Sequence, residues 1–150
     1  MNSGATEAPG IVVAGHGAAS GERSDRYPHG TLALQIPIFA ERGLDLAMAY
    51  PGTINVDTAP VAFVPGRADH TFADVAWTEA IPAETFSFHR CTLEVRGRRY
   101  SCWVYRPHPE TKVEHLQAAT VLECIGPPVP GIAQGVRVVV RLAPGRGTFA

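Results

Sequence analysis

Alternation of apolar and polar residues, rather than a helical period, organises most of this chain. β-Branched or alternating runs occur at Ile11 to Ala14, Thr31 to Ile36, Ile54 to Val56, Val61 to Val64, Phe86 to Val95, Tyr100 to Tyr105, Thr120 to Ile125 and Val136 to Leu142. Each has the pattern of a strand with one buried face. Thirteen prolines and fifteen glycines punctuate the gaps and leave few windows for a long helix. Only Phe39 to Met48 and Thr111 to Ala119 are therefore expected to hold a helical turn or two each. The pattern predicts an all-β chain, a small closed β-barrel with one or two short helical segments, although a sandwich meets the same pattern. Residues 10–142 form the patterned domain, with 1–9 and 143–150 reading as loose ends.

Length and charge narrow the function classes. A chain of 150 residues fits one compact domain with a real core. A formal net charge of −1 gives no broad basic surface, and the one dense cationic cluster, Arg96 to Arg99, is broken by Gly97 and reads as a solvated hairpin turn. That argues against a nucleic-acid partner. No apolar run is long enough to span a bilayer, and Met1 to Pro9 lacks the basic and apolar regions of a signal peptide, so no membrane partner and a cytoplasmic location are expected. Cys91, Cys102 and Cys124 are odd in number and lie in apolar strand patterns, which favours packed, reduced thiols.

Candidate chemistry begins at Pro51-Gly52-Thr53-Ile54-Asn55-Val56. Thr53 and Asn55 stand two apart in a strand-like setting after a Pro-Gly turn, so their side-chain oxygens share one face. Neutral oxygens suit a hard cation such as Mg²⁺, which keeps positions for water and substrate phosphates. A second candidate is the small-residue stretch Gly15, His16, Gly17, Ala18, Ala19, Ser20, whose backbone amides could cradle a di- or triphosphate. It matches neither the P-loop nor the dinucleotide fingerprint, and a plain connector has the same composition. His89 with Cys91, and His108 and His115 flanking Glu110, allow a transition-metal or hydrolytic site, though without a diagnostic spacing. Trp77, Phe86, Phe88 and Trp103 read as core aromatics.

Pro51 to Val56 resembles the Pro-Gly-Thr-Leu-Asn-Val signature of the archaeal-type, CTP-dependent riboflavin kinases. Further segments follow in the family's order: Gly10 to Gly17, Phe39 to Leu44, Phe86 to Cys91, Trp103 to Pro107, Glu110 to Lys112, Val121 to Pro127 and Gly135 to Val138. The resemblance implies a six-stranded cradle-loop barrel with one riboflavin kinase-like domain. It implies Mg²⁺ at Thr53 and Asn55, nucleotide contacts at Gly15 to Ser20, and flavin contacts at Thr111 and Glu123. The implied reaction is CTP-type phosphoryl transfer to riboflavin or a related polyol, with Glu123 as the residue able to take the attacking hydroxyl's proton. Phosphoryl transfer relies chiefly on alignment and charge neutralisation, so orientation is the first role for that carboxylate. The chain departs from the family in a longer first loop without its early glutamate, and in Pro128-Val129-Pro130-Gly131, where the family has a Leu-Arg contact to the nucleotide. A barrel that binds flavin or nucleotide without transfer is the alternative.

Overall fold

The computed structural model describes residues 4–14, 31–50, 52–79, 82–108 and 118–150. Among these, nine strands and one helix follow in the order β1 (Glu7–Val13), α1 (Thr31–Glu41), β2 (Ile54–Asp57), β3 (Phe63–Pro65), β4 (His70–Val75), β5 (Glu84–Val95), β6 (Arg98–Pro107), β7 (Val121–Ile125), β8 (Arg137–Leu142) and β9 (Gly147–Phe149). The main sheet is antiparallel and runs β4-β5-β6-β7-β2-β1-β8, and a further β5–β8 pairing brings its strands round on themselves. The twelve-residue β5 makes this possible. One of its edges carries β4 along Glu84 to Phe88 and β8 along Cys91 to Glu94, while the other carries β6 throughout. The β5–β6 hairpin turns at Arg96 and Gly97, both with positive φ, as the Arg-Gly-Arg sequence suggests.

Strand parity separates two cores. Ala8, Val12, Val56, Cys91, Leu93, Val95, Cys102, Val104, Leu122, Cys124, Val138 and Val140 come from all six ringed strands and pack into one cluster, so this parity faces inward. Gly10 shares the inward parity of β1; a Cβ there would lie 2.5 Å from Val56 Cγ1, and only glycine lets the strands close. The opposite parity of β5, β6 and β7 supplies Phe86, Phe88, Tyr105 and Ile125 to an outer cluster. That cluster also contains Leu32 and Phe39 of α1, Leu44, Leu46, and Phe72, Val75 and Trp77.

One expectation is corrected outright: Thr31 to Ile36 is helix, not strand. That helix ends at Glu41, inside the Phe39 to Met48 stretch expected to hold a turn or two, and Gly43 (φ 110°) and Leu44 close it by bonds to Ala40 O (3.2 Å) and Phe39 O (2.9 Å). This is a Schellman cap with its Leu44–Phe39 hydrophobic partner. The alternating Leu32, Leu34, Ile36, Ile38 imitates a strand, but the buried set is Leu32, Gln35 and Phe39, spaced for one helical face. Strand also occurs within both stretches read as loose ends. β1 begins at Glu7 with Ala8 buried, and β9 pairs with β3, burying Phe149.

All three cysteines are free and buried inside the ring. Burial pushes the Cys102 thiol up to about 12, and a hydrogen bond with Cys91, then burial, raises Cys124. Native protein should therefore react negligibly with a thiol reagent, and denatured protein without reductant should titrate three thiols; a count of one would reveal a disulfide.

His89, 1% exposed, sits at one end of the inward face. Its Nδ1 donates between Arg67 O (3.2 Å) and Arg146 O (3.0 Å), so the ring ties two loops together. Burial lowers its pKa from 6.5 despite those carbonyls. The unfolded chain thus takes up the proton at higher pH than the folded one. Its contribution to stability is complete above about pH 6.5 and falls as pH drops from there toward the folded value. Burial alone would raise the nearby Asp69, yet Arg146 at 2.9 Å and the Arg90 amide hold it below 3.8, so its contribution is lost only at more acidic pH. Urea midpoints measured at pH 7.5 and 5.5 should fall in the wild type and fall less in His89→Gln. Equal slopes in both proteins would remove His89 from this account.

Candidate functional site

β2 enters the sheet under tight backbone control. Tyr50 N–H donates to Gly126 O (2.9 Å), just beyond β7, and Gly52 N–H donates to Tyr50 O (2.8 Å). The start of β2 is thereby fixed against the end of β7, with Ile54 opposite Cys124 and Asn55 opposite Glu123. Val56 points inward, so Thr53, Asn55 and Glu123 take the outer face. The expected neighbours Thr53 and Asn55 do meet: Thr53 Oγ1 lies 3.4 Å from Asn55 Oδ1. It lies 3.4 Å from Glu123 Oε1 as well. Three residues singled out from sequence, one of them seventy positions away, share one half-buried corner.

The wall beside the corner is mostly apolar. Tyr105 is the register partner of Glu123 on β7 and of Phe88 on β5. Its hydroxyl donates to Gln35 Oε1 at 2.6 Å, which binds α1 to the sheet. Burial, then the carboxylates of Glu123 and Glu84, raise the Tyr105 pKa well above 10, so the phenol stays protonated. Glu84 is itself buried and accepts from Trp77 Nε1 at 2.9 Å. Phe86 and Phe88 are core, as expected, and Trp103 lies partly buried beneath the Arg90 guanidinium at 3.7 Å. Arg42, at the end of α1, donates to Ala73 O (2.7 Å) on the irregular stretch of β4.

No family model matches this chain, nor does any curated protein.

The remaining site expectations distribute unevenly. β1 ends at Val13, the register partner of Asn55. Gly15, His16, Gly17, Ala18, Ala19 and Ser20 follow it in sequence but lie outside the described residues, as do Thr111, Glu110 and His115. His108 is described, with Nε2 2.6 Å from Ser87 Oγ, itself 3.1 Å from Thr71 Oγ1. Among the described residues no three His, Cys, Asp or Glu side chains group so as to hold a metal. The donor set at the corner is of another kind, a hydroxyl, an amide oxygen and one carboxylate, and these hard oxygens fit Mg²⁺ or a similar cation. An open groove of about 460 Å³ over β1 and β8 mixes Asp57 and Glu94 with Arg96 and Arg137 and includes none of the corner oxygens. Sequence reading missed Gln35 and Tyr105. Gln35 is the one polar residue in the run Leu32 to Ile38, and Tyr105 stands two after Trp103 on the same strand face, signals that a two-sided sheet would have made visible.

Proposed function

We propose that the protein is a nucleotide-dependent kinase of the riboflavin kinase type, built on a cradle-loop barrel, acting on riboflavin or a related small polyol. The observation that carries this reading is the meeting of Thr53, Asn55 and Glu123 at one corner beside the end of β1. The resemblance of Pro51 to Val56 to the family signature supports it independently. Thr53 Oγ1 and Asn55 Oδ1 would hold Mg²⁺. When bound, Mg²⁺ supplies alignment and charge neutralisation for the donor phosphates. Amides of Gly15 to Ser20 would cradle those phosphates, a CTP-type triphosphate being the donor. Thr111 and Glu123 would hold the polyol, with the Glu123 carboxylate accepting a hydrogen bond from the terminal hydroxyl. As that hydroxyl oxygen bonds to the γ-phosphorus and the bond to the bridging oxygen breaks, Glu123 can receive the released proton, and a nucleoside diphosphate leaves. Such an enzyme would work in the cytoplasm.

The absence of a cation in Pro128-Val129-Pro130-Gly131 favours one other reading, a barrel that binds flavin or nucleotide without transfer. Incubation with Mg²⁺, riboflavin and each nucleoside triphosphate separates the two. The kinase yields a flavin monophosphate with at least one donor; binding by calorimetry with no phosphorylated product over hours selects the binding barrel.

A further inference from the structure

β3 and β9 form a ribbon whose pairs run from Phe63–Phe149 to Pro65–Gly147. Backbone bonds extend it to a loop end, Gly66 N–H to Arg146 O (3.0 Å) and Arg67 N–H to Gly145 O (2.9 Å). Phe149 anchors the opposite end in the inner cluster. The loop end is tied to β5 by side chains. Asp69 Oδ2 accepts from Arg90 N–H (2.7 Å) while Asp69 Oδ1 holds Arg146 (2.9 Å). His89 Nδ1 reaches Arg67 O and Arg146 O, one carbonyl from each side of the ribbon. Carbonyls only accept, so Nδ1 carries the proton and Nε2 of the neutral ring is left as an acceptor. That Nε2 is buried and has no hydrogen-bond partner among the described residues. Phe63, with its ring centroid 5.2 Å from the imidazole, and Val104, the register partner of His89 on β6, offer it no side-chain oxygen or nitrogen.

We infer that His89 is an acid-sensitive latch: a proton at Nε2 opens the loop end of the β3–β9 ribbon while the ring of strands stays paired. Protonation creates a buried N–H and a buried positive charge with no acceptor, and opening relieves both by giving them to water. The charged groups around the imidazole do not compensate. Arg106 on β6 opposes the added charge, and Asp69, which favours it, is already engaged by the Arg146 guanidinium and the Arg90 amide. Arg67 and Arg146, the carbonyl donors to the latch, bring further cations, and the inward neighbours on β5 are Ser87 and the Cys91 thiol. Asp69 itself is held below 3.8, so the second tie outlasts the first as pH falls. In the open ribbon the imidazole has its ordinary value of 6.5, and in the closed one burial holds it lower. The closed form is therefore fully favoured above about pH 6.5 and loses up to about tenfold per pH unit below it, down to the closed-state value. The latch is independent of the kinase reading.

Amide hydrogen exchange of the full chain, resolved by residue and expressed as protection factors, tests the latch at pH 7.5 and 5.5. In wild type the Gly66 and Arg67 amides should lose protection several-fold, up to about tenfold, while amides of the β5–β6 ladder change by less than about twofold. The loss should share its midpoint with the titration of the His89 ring, read from its carbon-bound protons. His89→Gln, whose amide can still donate to a loop carbonyl but takes up no proton, should hold the same protection at both pH values. Unchanged protection of Gly66 and Arg67 in wild type would overturn the latch, as would an equal loss in His89→Gln. A parallel loss across β5 and β6 would show global loosening and overturn it too. Should His89→Gln fail to fold, the wild-type midpoints decide, and a loss displaced from the His89 titration removes this histidine as the trigger.

Discussion

Phe39→Ala is expected to destabilise the fold by about 3–5 kcal/mol, the range for removing a large aromatic from a packed core. Phe39 is wholly buried and belongs to the outer cluster. Its centroid lies 5.0 Å from Phe88, 5.3 Å from Phe86 and 5.6 Å from Phe72, so one side chain joins α1 to both β4 and β5. It also supplies the carbonyl that accepts from Leu44 in the helix cap. Truncation therefore removes apolar contact and leaves a cavity between a helix and a sheet whose polar links include Tyr105–Gln35 and Arg42–Ala73. Leu34→Ala on the exposed side of the same helix should change stability by less than about 0.5 kcal/mol. Urea denaturation followed by far-ultraviolet dichroism measures both. A loss below about 1 kcal/mol for Phe39→Ala would mean that α1 does not pack on the sheet as described.

The same helix shows where sequence pattern misleads. Over Thr31 to Ile38 a period of two and a period of 3.6 both collect apolar residues, because nearly every position is apolar. Gln35 is the residue that discriminates. On a strand it would share a face with Ala33 and Pro37, away from the leucines and isoleucines, whereas on a helix it falls between Leu32 and Phe39 and finds the Tyr105 hydroxyl. β5 and β6 were legible because long runs rich in β-branched and aromatic residues and an Arg-Gly turn between them agree with one another. β4 was not: Asp74, with φ 55°, interrupts the pairing between Phe72 and Val75, and the broken alternation hides the strand. β9 is three residues long, and its pairing with β3 is a tertiary event with no local pattern to announce it.

Legibility at the site follows the same division. Thr53 and Asn55 could be paired from sequence because two residues on one strand face are a local matter. Glu123 could be joined to them only through resemblance, since its place opposite Asn55 depends on which strand lies beside β2. The phenol and amide behind it belong to a third strand and a helix, and nothing short of the assembled sheet puts them together.

The largest functional effect is expected at Asn55, whose side-chain oxygen meets Thr53 Oγ1 at the corner. Asn55 lies between Glu123 on β7 and Val13 on β1, so its side chain stands where the strand that leads into Gly15 to Ser20 ends. Asn55→Ala would remove one of the two neutral oxygens, Asn55 Oδ1 and Thr53 Oγ1, of the proposed cation site. If that pair aligns the donor phosphates as proposed, Mg²⁺-dependent nucleotide binding should be abolished and turnover should fall at least about tenfold. The half-buried position and its place outside both apolar clusters predict little change in stability. Calorimetric titration of nucleotide with and without Mg²⁺, beside a thermal melt, separates the two effects. A variant that melts like wild type but binds and turns over normally removes Asn55 from the site, and with it the assignment of this corner to a metal-bound nucleotide.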